Sequence, residues 1–208
     1  MSPSAEVRRK PAQKRGEMRV QQILDATEAL VLEIGAEAVT TNHIAKRANV
    51  NVGTLYHFFS NKSEIFLAIL ARSSSQFERA VEEAGSLPSS TAEGWIARLM
   101  EAQTQVWLEN AASIRLYEAL RTQAETNSLI EEGDARIENF YLEGFKRHCP
   151  HISSSRRRHV ARTLLIMSYA LHEDISFAKN ARETRARMRE LHRAVRNYVC
   201  EPRRDRRP

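Results

Sequence analysis

Residues 40 to 62, Thr-Thr-Asn-His-Ile-Ala-Lys-Arg-Ala-Asn-Val-Asn-Val-Gly-Thr-Leu-Tyr-His-Phe-Phe-Ser-Asn-Lys, hold two short helical patterns separated by one tight turn, and they constrain the fold more than any other stretch. Thr40 or Thr41 is placed to cap a first helix by accepting from a free backbone N–H, and Ile44, Ala45 and Ala48 recur at helical spacing. Asn49 falls at the turn, where a positive φ is usual and Asn, after Gly, tolerates it best. Asn51 then caps a second helix, and Val52 to Phe59 carries Leu55 and Phe59 one turn apart on a buried face. Its other face shows Val52, Thr54, Tyr56 and His57. Gly53 costs about 1 kcal/mol relative to Ala in a helix, so its presence predicts a close approach by a backbone or a phosphate. This pattern reads as a helix-turn-helix whose second helix enters the major groove of DNA.

Together with Ile23 to Gly35 before it, the stretch resembles the TetR family of bacterial transcriptional regulators over about residues 18 to 70. Asn49 stands where that family usually has the turn Gly, Asn51 where it has Ser, and Phe58 where His or Tyr is more common. The resemblance implies phosphate contacts from Thr41, Tyr56 and Lys62, and base-edge contacts from Val52, Thr54 and His57. Asn42 supplies either kind, and Asn51 and Gly53 complete the expected DNA-facing set. Taken alone, the Leu-Tyr-His-Phe-Phe run would read as core packing, and Lys62 as a solvated surface charge. The combined spacing argues for DNA, and Lys62 opens another helix where free N–H groups also meet a phosphate.

The net charge of +6 suits a polyanionic partner, and its distribution is more telling. Residues 1–19 carry six basic side chains against two acidic ones, and residues 182–208 carry ten Arg against four acidic residues. Residues 1–16, rich in Pro, Ser, Lys and Arg, are expected to be a flexible basic arm, and 201–208 a basic tail. No apolar run approaches the roughly 20 residues that span a bilayer, and the N-terminus lacks a signal-peptide pattern, so a cytoplasmic protein without membrane partner is expected. Cys149 and Cys200 are far apart in sequence and match no paired motif, which predicts reduced thiols.

From Glu17, the residues Val20, Ile23, Leu24, Ala26, Leu30, Val31 and Ile34 define one amphipathic helix that Gly35 ends. A DNA-binding domain over 17–62 is followed by a connecting helix over 63–84 carrying Ile65, Phe66, Ile69, Leu70, Phe77 and Val81. Further helices are expected over 91–110, 113–125, 128–149, 153–179 and 182–200, with no strand-like alternation. The fold class is therefore all-α: an N-terminal three-helix helix-turn-helix domain and, over 63–200, a helical domain for effector binding and dimerisation. Trp95, Ile96, Leu99, Met100, Val106, Trp107 and Leu108 make the first of the later helices apolar on one side.

The last two helices carry more apolar surface than one core needs, which points to a partner. Leu164, Met167, Ser168, Leu171, Ile175, Leu191, Val195 and Tyr198 would meet their own copies in a two-fold four-helix bundle, the dimer the resemblance implies. Packing within one chain is the competing explanation. The resemblance also implies an effector pocket in this domain, with Trp95, Met100, Trp107, Tyr117, Phe140 and Tyr141 as walls; ordinary core is the alternative for each.

Catalysis finds little support. His172, Glu173 and Asp174 are adjacent on a helix and point in different directions, and His148-Cys149-Pro150-His151 matches no common zinc spacing. No phosphate-cradling Gly loop or nucleophile elbow occurs. No cofactor and no metal are expected. The sequence reads as a ligand-responsive transcriptional regulator, most simply a repressor, binding palindromic double-stranded operator DNA as a homodimer and released by a small molecule. A helical enzyme or accessory protein with an acidic partner, and a DNA-binding protein without sequence preference, remain the alternatives.

Overall fold

The computed structural model describes residues 11–120 and 124–200. Among these the chain is all α-helical: α1 (Pro11–Ile34), α2 (Thr41–Arg47), α3 (Val52–Phe58), α4 (Lys62–Ser86), α5 (Ala92–Glu109), α6 (Ala111–Leu120), α7 (Ala124–His148), α8 (Ser154–Ser176) and α9 (Ala181–Cys200). Contacts divide it into two compact units, Met1–Leu70 and Ala71–Pro208, with the division inside α4.

In the first unit α1 is already helical at Pro11, the first described residue, and so includes residues before the expected Glu17. Expectations for residues 1–10 and 201–208 lie outside the described residues. Ile23, Val31, Ile44, Leu55, Ile65 and Ile69 have no exposed surface, and burying each stabilises the unit by roughly 1.5–3 kcal/mol. Ile34, expected in the buried stripe of α1, is exposed, because Gly35 follows in the left-handed conformation (φ 79°) and turns the chain away.

In the second unit α5, α7, α8 and α9 form the principal packing pairs, α8 against α7 and α9, and α5 against α8 and α9. Trp95 sits at the centre. Its indole N–H donates to the Gly85 carbonyl (3.1 Å), its ring meets Phe145 edge-on at 5.6 Å, and His148 stacks on it at 5.1 Å. A Cβ at Gly144 would lie 2.0 Å from the Trp95 ring, so only Gly lets α7 pass so close. Arg98 donates to the Leu87 carbonyl (2.8 Å), tying α5 to the segment after α4.

This packing corrects several expectations. Leu164, Ser168, Ile175, Leu191 and Val195, expected at a two-fold interface, are buried in the core of their own chain, because α9 lays its apolar stripe on α8 and α5. Met167, Leu171 and Tyr198 are half-buried. Trp95, Met100 and Tyr141, expected as pocket walls, are fully buried core side chains; Trp107 and Phe140 are half-buried, and Tyr117 is exposed. Leu108 is exposed, on the far side of α5 from Leu99 and Gln103. Cys149 is buried and Cys200 half-buried, both as free thiols, and burial pushes the Cys149 thiol up to about 12 and that of Cys200 up to about 11.

Candidate nucleic-acid interface

The helix-turn-helix is built by three local devices. Thr40 Oγ1 accepts from the His43 N–H (3.2 Å) and so is the residue that caps α2. At the other end, Val50 N–H donates to the Ala45 carbonyl (3.0 Å) and Asn49 N–H to that of Lys46 (3.3 Å), closing a Schellman turn with Asn49 at φ 51°. Asn51 Oδ1 then accepts from Thr54 N–H (2.6 Å), capping α3. With Leu55 and Phe59 buried, the pitch of α3 leaves Asn51, Val52, Gly53, Tyr56 and His57 exposed and Thr54 half-exposed. Val52 is 36% and Tyr56 50% exposed.

Two of the expected phosphate contacts come together: Thr41 Oγ1 lies 3.2 Å from the Tyr56 hydroxyl, so the first turn of α2 and the outer face of α3 share one hydroxyl pair. Asn42 is exposed beside them. Gly53 has a nearer cause than the approach of a phosphate. A Cβ there would stand 3.3 Å from Asn51 Oδ1 and press on the cap.

Lys62, expected on a phosphate, is held within the unit. Its ammonium donates to the carbonyls of Val39 (3.0 Å), Ala36 (3.3 Å) and Glu37 (3.4 Å), and lies 5.5 Å from the centre of the Phe66 ring. It ties the segment before α2 to the first turn of α4. Sequence reasoning missed this role, since nothing in the spacing of Lys62 shows that three carbonyls converge on it. The start of α4 is itself capped, with Asn61 Oδ1 accepting from Glu64 N–H (2.9 Å) and the Glu64 carboxylate from Ser60 N–H (2.7 Å). Arg47 pairs with Glu33 across α1 and α2.

Outside this surface, the titratable groups considered for catalysis are dispersed. The His172 side chain lies outside the described residues, and Asp174 pairs with Arg187 at 2.9 Å. His148 stacks on Trp95, while His151 Nε2 lies 2.9 Å from the Val199 carbonyl. Among the described residues no group of three His, Cys, Asp or Glu is arranged to hold a metal ion, and no helix is long and apolar enough to cross a membrane.

Residues 23–69 match the family model of bacterial regulatory proteins, tetR family. The chain is 28% identical over 149 residues to the HTH-type transcriptional repressor KstR of Mycobacterium tuberculosis, covering 70% of this chain and 66% of that repressor. It is 44% identical over 70 residues to KstR of Rhodococcus jostii, covering 34% of this chain and 31% of the relative. The aligned chain thus spans less than two thirds of the length of either relative. A bacterial regulatory protein in the tetR family from Rhodococcus RHA1 shares the fold, with a TM-score of 0.70 at 18% identity over 88% of this chain and 98% of that one.

Proposed function

This chain belongs to the tetR family of bacterial regulatory proteins, and from that premise we propose that it is a cytoplasmic transcriptional repressor. It binds a palindromic operator as a homodimer and is released by a small molecule bound in the second unit. The observation that carries the DNA reading is the outer face of α3, where Val52, Gly53, Tyr56 and His57 are exposed while Leu55 and Phe59 anchor the helix from behind. Short side chains at the start of such a helix let it approach base edges, and bases are distinguished in the major groove. Val52 and Thr54 read bases, with His57 and Asn42 at the margins; the Thr41 and Tyr56 hydroxyls contact phosphate and set the register.

Dimerisation uses what α8 and α9 leave outside the core. Ile166 and Phe177 are exposed, and Met167, Leu171 and Tyr198 half-buried, a set that supports a self-complementary apolar surface. A ligand releases DNA only if it binds one arrangement of the dimer more tightly than another. The continuous helix α4, which runs from the first unit into the second, supports a route for that coupling.

Protection mapping on the DNA upstream of its own gene tests the proposal. A symmetric footprint with half-sites about 34–36 Å apart, or a multiple of it, is expected. Uniform protection of unrelated DNA would favour binding without sequence preference, and no protection would remove the reading altogether.

A further inference from the structure

We propose that the second unit recognises its effector through the Gln103 amide oxygen, and that the effector is an uncharged, largely apolar molecule carrying a hydroxyl donor. The inference rests on the reading of this unit as an effector domain and specifies the chemistry it selects.

Gln103 lies one turn beyond Leu99 on the buried face of α5, where the helix pattern calls for an apolar residue, and it is 0% exposed. Its amide nitrogen donates to the hydroxyl of Tyr141 on α7, also fully buried, and that hydroxyl is hydrogen-bonded to Ser168 on α8. The direction of this relay follows from its far end. Ser168 has one hydroxyl proton and gives it to the Leu165 carbonyl (2.9 Å), so towards Tyr141 it must accept. Tyr141 then donates to Ser168 and must accept from Gln103, which turns the amide nitrogen towards Tyr141 and the amide oxygen away from it. That oxygen is sealed from solvent and has no hydrogen-bond partner.

Folded interiors pair nearly all their buried acceptors, because stripping one of water without replacement is unfavourable. Here every other link of the relay is closed, and the open position accepts but cannot donate. A ligand hydroxyl satisfies it; an ether or an ionised carboxylate does not. The surroundings agree. Trp107, one turn further along α5, packs on the Tyr169 ring (5.9 Å), and Tyr169 packs on Phe77 (6.2 Å), giving aromatic surface for an apolar body. Tyr169 donates to Asp134 (2.9 Å), which also accepts from Arg162 (3.2 Å), so a carboxylate rather than a free cation stands behind the aromatic wall. An anionic ligand gains no partner there. Trp107 is half-buried one turn from Gln103, so its fluorescence should report binding.

The test uses the full chain and two matched sets of probes: 2-naphthol, 2-methoxynaphthalene and 2-naphthoic acid; and 1-decanol, decyl methyl ether and decanoic acid. In titrations followed by tryptophan fluorescence, at least one alcohol is expected to bind about tenfold or more tighter than its ether and its acid, the discrimination expected of a site with a buried polar group to satisfy. Gln103→Leu should bring the alcohol to the level of the ether. If neither alcohol binds more tightly than both its ether and its acid, if the preference survives Gln103→Leu, or if none of the six binds, the proposal is overturned. If Gln103→Leu does not fold, the alcohol, ether and acid comparison on the native chain decides, with Gln103→Met as the second variant. Operator release, measured on the same samples, separates this inference from the one beneath it. Gln103-dependent binding without release keeps the ligand site and removes its regulatory role, whereas release by a compound indifferent to Gln103 keeps the regulator and removes this site.

Discussion

At the scale of single residues, similar side chains have different work depending on what surrounds them. Lys62 is a cation at the start of a helix, yet its three donors meet three carbonyls between Ala36 and Val39. Lys62→Met should therefore lower stability by about 1–3 kcal/mol in chemical denaturation, the range for hydrogen bonds to a charged group or their loss. The salt dependence of DNA binding should stay as it is, whereas a lost phosphate contact would flatten it by roughly one counterion per subunit. His148 gives a pH prediction. Burial, with Arg147 and Arg98 adding to it, holds the imidazole below its ordinary value, so the folded chain binds that proton less tightly than the unfolded chain does. Stability should be highest above the ordinary value of about 6.5 and fall as the pH drops through it towards the lower folded value. Melting curves between pH 7.5 and 5.5 check this, and His148→Gln should flatten the trend.

At the scale of elements, the short helices of the first unit were legible because each end is marked by a residue whose chemistry has one local use. Asn49 takes φ 51°, and Asn51 caps α3. Asn51→Ala should cost about 1 kcal/mol, and Asn49→Gly should be neutral or stabilising, since Gly enters the left-handed region without strain. A denaturation midpoint shift of the opposite sign at Asn49 would contradict the turn. In the second unit the helices were legible from their period, but the partners of each apolar face were not. Periodicity shows that Leu191 and Val195 lie on one stripe of α9; whether α8 and α5 or a second chain covers it depends on tertiary packing. Gln103 illustrates the same limit: a polar residue on the apolar face of α5 was visible, whereas Tyr141 lies 38 residues away. Gly144→Ala should destabilise the unit by about 1–3 kcal/mol, because the added methyl meets the Trp95 ring between packed helices.

Across the whole molecule, one unit presents the exposed face of α3 and the other holds a polar relay within an aromatic core, with α4 common to both. If dimerisation uses the apolar residues left outside the core, Ile166→Asp should yield a monomer in light scattering at micromolar concentration, because an interface would bury its charge unpaired. An unchanged dimer would place the interface elsewhere. Reading of DNA sequence by the outer face of α3 is tested by a binding titration of the native chain and Thr54→Ala on the footprinted operator and on a scrambled duplex of equal length. The native chain should prefer the operator, and Thr54→Ala should lose about 1–3 kcal/mol on the operator with little change on the scrambled duplex. Equal native affinity for the two duplexes, or a Thr54→Ala variant that binds the operator as tightly as the native chain, would contradict it.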